Sequence, residues 1–139
     1  LMQIPTVQSL LPKGRRVGVL TVSRETLTPA HLEAAGVALD TPVVGTEGGR
    51  EFTRAILGNE PELDTEKSRL DLLDAGRELL DGHPEVGAIV LECTNMVPYA
   101  AELRRALGVP VFSIYSFVLW FQSGLMPRAY DTRLMDPRP

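Results

Sequence analysis

Short apolar runs and stretches of helical period alternate along the whole chain, and that alternation most limits what it can fold into. Residues 15–21 read Arg-Arg-Val-Gly-Val-Leu-Thr, a strand with a basic start and an apolar body. Pro42-Val43-Val44-Gly45 is a second short strand, residues 86–92 a third, and residues 110–114 a fourth. Between them lie helix signals. Thr28 suits an N-cap, Pro29 the first helical position and Gly36 a left-handed close, with Leu27 and Leu32 spaced as a hydrophobic staple. Asp64 can cap a longer helix to about residue 81, where Leu72, Leu73, Gly76, Leu79 and Leu80 share a face. Gly82 and Pro84 stop it. Further helices are predicted at 51–57, 98–107 and 116–123, with a short helix or helix end inside 1–14. Residues 45–50, with three glycines, read as a mobile loop able to act as a lid. The prediction is an α/β domain over residues 1–125, a parallel sheet of about four strands flanked by helices on both faces. Residues 126–139 read as an irregular tail.

The 139 residues are enough for one domain with a core of its own. Net charge is −4, and Lys and Arg are scattered with only short pairs at Arg15-Arg16 and Arg104-Arg105, so the basic face that nucleic acid requires is not visible. No apolar run approaches the ~20 residues of a membrane span. One cysteine permits no internal disulfide, so nothing points to secretion, and a cytoplasmic protein is expected. The first residue is Leu1, and residues 1–14 show no charged n-region followed by an apolar h-region, so they are not expected to be a signal peptide.

That cysteine, Cys93, stands where the third strand ends, in Leu91-Glu92-Cys93-Thr94-Asn95-Met96. In a parallel sheet this edge is where ligands bind. A helix start after it favours thiolate over thiol. Thr94 and Asn95, with the backbone N–H groups there, can hold a carboxylate. The same placement also suits a small buried residue beside an ordinary N-cap. Thr21 and Ser23, at the end of the first strand, reach the same edge and can donate hydrogen bonds to an anion, or serve only their own turn. Other motifs fail. A phosphatase loop needs arginine six residues after the cysteine, where Tyr99 stands. There is no Cys-x-x-Cys pair. The 45–50 loop lacks the Gly-Lys-Ser/Thr ending of a phosphate loop. His31 and His83 lack the further ligands that a metal site needs. The last helix, around Phe117, Trp120 and Phe121, has no polar side, so either a partner or this domain's own core must cover it.

The block from Gly87 to Met96, then Pro98-Tyr99-Ala100, Gly108-Val109-Pro110-Val111-Phe112 and Trp120-Phe121, resembles the aspartate/glutamate/hydantoin racemase superfamily over about residues 1–123. The resemblance implies one lobe, the C-terminal one, of a two-lobe enzyme without cofactor or metal. In that scheme two thiols face the substrate α-carbon from opposite sides. Cys93 matches the thiol of this lobe, and Thr94 and Asn95 match the carboxylate-binding neighbours. Thr21 lies in a strand-end loop that lines the site. The other thiol belongs to a first lobe that this chain does not contain. A two-base reaction needs that partner, and no residue here is placed for it. The implied function is racemisation of a small carboxylate such as an amino acid. The helix at Phe117, Trp120 and Phe121 would pack on the first lobe or on a second copy. Two positions depart from the pattern. Ser113 stands where an aspartate is usual, and Leu119 where a polar residue is common. The resemblance admits two alternatives, a single-cysteine decarboxylase of the arylmalonate type and a non-catalytic half-domain that binds a ligand or partner.

Overall fold

The computed structural model describes residues 1–130. Four strands, β1 (Arg16–Thr21), β2 (Val43–Gly45), β3 (Val86–Leu91) and β4 (Val111–Phe112), form one parallel sheet in the order β2-β1-β3-β4. The helices are α1 (Ile4–Leu10), α2 (Pro29–Ala34), α3 (Phe52–Leu57), α4 (Thr65–Gly82), α5 (Ala100–Leu107) and α6 (Ile114–Leu125). The expected α/β fold is therefore present. Strand side chains alternate between two faces. Val17 and Val19 of β1, with Ala88 and Val90 of β3, pack with Ile4 and Val7 of α1 and Leu32 of α2. Leu20, Ile89 and Leu91 face the other way, against Leu72 and Leu79 of α4 and Leu103 of α5. Both faces are buried, which is why the strands read as continuous apolar runs.

The helix starts follow the expected chemistry. Thr28 and His31 form a capping box at α2, and Gly36 closes that helix with φ +67°. Asp64 caps α4 by accepting the Lys67 N–H at 3.0 Å. Leu72 and Leu79 are fully buried, each stabilising the fold by about 2 kcal/mol.

Three expectations need correction. The helix predicted from residue 98 is preceded by a 3-10 helix, Thr94–Tyr99, and α5 begins only at Ala100. Pro98 has no N–H to return to an earlier carbonyl, so a regular α-helix cannot start at Thr94 and run through it. The fourth strand is two residues long, because extended Ser113 caps α6. Its N–H is taken by the Ser116 hydroxyl at 2.9 Å, so α6 starts at residue 114. The loop at 45–50 is fastened rather than free to act as a lid. The Thr46 hydroxyl donates to the Val22 carbonyl at 3.3 Å, and the Asp71 carboxylate binds the loop's end.

Helix α6 contains no buried residue. Tyr115, Val118, Leu119, Trp120, Phe121 and Leu125 are all exposed, so the domain's own core does not cover it. Residues 127–130 have no regular structure, and the remainder of the tail expected at 126–139 lies outside the described residues. Among the described residues no helix is long and apolar enough to cross a membrane.

Candidate active site

The C-terminal edge of the sheet gathers the ends of β1 and β3, which run in register from Val17–Ala88 to Leu20–Leu91. Strand alternation then divides the residues beyond. Glu92 continues the face of Ala88 and Val90, whereas Cys93 continues that of Ile89 and Leu91 and packs against the α4–α5 core. Cys93 is half-buried with a free thiol. It is the N-cap residue of the 3-10 helix, but its sulfur closes no capping hydrogen bond. Burial pushes the thiol up and Glu92 adds to this, while the N–H groups of Asn95 and Met96 pull it down. Burial prevails, so Cys93 carries its proton above the ordinary range. The expected bias toward thiolate is reversed here, because the short 3-10 helix supplies too little positive potential to offset desolvation.

Thr94 and Asn95 are exposed and line a depression of about 520 Å3 with Ile56, Leu63, Thr65, Val97, Pro98 and Tyr99. That volume lies within the usual range of ligand sites. Thr21 lines a different depression, with Thr26, His31 and Glu92. The buried Thr21 hydroxyl donates to Glu92 Oε2 at 3.1 Å, joining the ends of β1 and β3. Its single proton is thereby used, so Thr21 positions Glu92 in this arrangement. The Ser23 hydroxyl accepts from the Thr26 N–H at 3.3 Å and serves its own turn. Cys93, Thr94 and Asn95 thus follow one another at the end of β3, Thr94 and Asn95 lining the depression, while Thr21 joins Glu92 and Ser23 serves its own turn. Among the described residues no group of three His, Cys, Asp or Glu side chains is placed to hold a metal.

Sequence reasoning overlooked Glu92 and Asp71. Glu92 is the one charged residue at the end of an apolar strand, and strand parity would have placed it beside Thr21. Asp71 sits in the buried stripe Ser68, Asp71, Leu72, Ala75, Gly76 and Leu79 of α4. A carboxylate inside an apolar stripe is itself a signal, because a buried charge requires donors. They are the N–H groups of Arg50, Glu51 and Phe52, at 2.7, 2.7 and 2.8 Å. Burial acts to raise this carboxyl, but these bonds and the Arg50 guanidinium outweigh it and hold it low. Asp71 thereby fixes the start of α3, whose Ile56 forms part of the wall of the Thr94 depression.

Comparison with known proteins agrees with this architecture. The chain is 27% identical, over 115 residues, to a protein named dimethylsulfoniopropionate lyase from Durusdinium sp. clade D. The match covers 78% of this chain but 38% of that protein, so the chain spans well under half of its relative's length. No solved structure matches the chain significantly. The family described as Asp/Glu/hydantoin racemase matches residues 2–120, which include every strand of the sheet and the Cys93 turn. The chain belongs to the Asp/Glu/hydantoin racemase family.

Proposed function

We propose that this domain performs acid/base chemistry at the α-carbon of a small carboxylate, with Cys93 as the proton-carrying group and inversion as the outcome in the whole protein. The observation that carries the reading is the placement of Cys93. It is a half-buried thiol at the C-terminal edge of β3, at the start of the 3-10 helix, with Thr94 and Asn95 exposed immediately after it. A racemase and a lyase acting on a propionate share one step, removal of a proton from the carbon next to the carboxylate. That proton is a far weaker acid than a thiol, whose ordinary pKa is about 8.5. The step is feasible only where the negative charge passing onto the carboxylate is stabilised. Oriented donors do this, each lowering the barrier by about 3 kcal/mol. Thr94, Asn95 and the N–H groups of the 3-10 helix are the donors proposed here. Thr21 acts indirectly, by holding Glu92. No cofactor is required for this chemistry.

One thiol reaches one face of the α-carbon, so inversion needs a second group opposite it. We place that group in a second lobe lying over α6. β4 ends at the same sheet edge as β3 and leads directly into α6, and Ile114 and Phe117 share a depression with Glu92 and Thr94. A lobe that covers the exposed face of α6 therefore also closes over the Cys93 edge.

The raised thiol favours one further reading, decarboxylation of a substituted malonate, in which Cys93 only delivers a proton. Proton NMR in D2O distinguishes the two. Loss of the Cα–H signal of an amino acid without loss of carbon supports racemisation, and CO2 release from phenylmalonate supports the donor role alone. Either activity is expected to vanish in Cys93→Ser. Activity that survives this change contradicts both.

A further inference from the structure

The depression lined by Thr94 and Asn95, the residues that follow Cys93 in the chain, has two chemically distinct parts. Thr94 and Asn95 supply its polar end. Ile56, Leu63, Val97, Pro98 and Tyr99, with the further hydroxyl of Thr65, supply the rest, and no Lys, Arg or His is among its lining residues. The cations nearest along the chain are engaged. Arg54 pairs with Glu51 and Glu60, and Lys67 pairs with Asp64. Glu60, Asp64 and Glu66 are likewise paired, with Arg54, Lys67 and Arg69, so none of these cations is free of an acidic partner. A second carboxylate entering this space would lose hydration and find no unpaired counter-charge among the lining residues. A hydrocarbon group would instead remove apolar wall from water, at about 25 cal/mol per Å2.

The wall is also held in shape. The ring of Tyr99 stands edge-on to the buried Phe52, centroids 6.3 Å apart. Its hydroxyl lies by Ser68, whose fully buried Oγ makes no hydrogen bond of normal geometry. Phe52 is in turn fixed by its N–H bond to Asp71.

We infer that this site takes a carboxylate whose α-carbon bears a hydrocarbon group, aliphatic or aromatic, and discriminates against a second carboxylate carried on that group. The carboxylate lies at Thr94 and Asn95, and the hydrocarbon lies over Leu63, Val97 and Tyr99. This rests on the proposal that Thr94 and Asn95 grip a carboxylate beside Cys93, and it adds the nature of the other substituent.

The test is titration of the 15N-labelled protein with phenylacetate and, separately, with succinate, followed by amide chemical shifts. Phenylacetate is expected to move the amides of residues 94–99 and Leu63, and to bind at least tenfold more tightly than succinate. Leu63 lies in the segment before α4, outside any helix or strand, so Leu63→Arg perturbs the wall without breaking an element. That variant is expected to lose at least tenfold for phenylacetate and to gain for succinate. Equal or tighter succinate binding at residues 94–99 in the unchanged protein overturns the inference while leaving the carboxylate grip intact. Failure of both ligands to move residues 94–99 removes the grip and the inference together. Persistence of phenylacetate selectivity in Leu63→Arg also overturns the inference, because the apolar wall would then not be its source.

Discussion

At the scale of single residues, two buried ionisable groups behave oppositely for reasons that local geometry makes plain. Asp71 is buried yet charged, because three N–H donors converge on it. Asp71→Asn keeps the size but turns an amide N–H2 toward donors, and is expected to lower unfolding free energy by about 2–3 kcal/mol in urea titration. Gly49→Ala should act similarly, since a Cβ there would collide with the Asp71 carboxylate. The folded-state pKa of Asp71 lies below its unfolded value of about 3.9. Its contribution is therefore complete above that value and is lost as pH falls through the folded one. Unfolding measured from pH 6 to pH 2 should show this loss in the unchanged protein and a weaker one in Asp71→Asn. Cys93 lacks comparable donors and its pKa rises. Its position was legible in the sequence, since the strand and its small polar successors mark the edge. Its protonation was not, because that depends on how deeply α4 and α5 bury the sulfur.

At the scale of elements, strands and caps were legible where the signal was local. Thr28, Gly36, Asp64 and Gly108 act as their chemistry dictates. What the sequence hid were choices between neighbours. The 3-10 helix after Cys93 follows from one proline, and the early start of α6 from the Ser113–Ser116 capping pair. Helix α4 is the main packing element on its side of the sheet, and Leu79 fills the space opposite Gly18. Leu79→Ala is expected to cost about 3 kcal/mol by the same urea titration, because the rigid strand cannot collapse into the void. Helix α6 should behave differently. Trp120→Ser removes a side chain that is 62% exposed, so the stability of this domain should change by less than about 0.5 kcal/mol.

At the scale of the whole molecule, the α/β sheet carries one apolar helix, α6, whose face the described residues leave exposed. The alternation of strands and helices revealed the sheet, and the apolar run at 117–121 posed the choice between a partner and the domain's own core, of which the structure excludes the core. Neither could reveal what such a partner is, because interface chemistry depends on a surface the run itself does not encode. Trp120 is the chain's single tryptophan and is exposed. Its fluorescence should match that of a solvated indole here and shift to shorter wavelength once a second lobe covers it. The account depends most on Cys93 and the carboxylate donors forming one site. Alkylation of Cys93 by iodoacetamide, followed by mass spectrometry across pH with and without phenylacetate, tests this directly. The expected result is slow labelling at pH 7, a midpoint above the ordinary thiol value of about 8.5, and at least tenfold protection by the ligand. A labelling rate unaffected by carboxylate ligands would contradict the account.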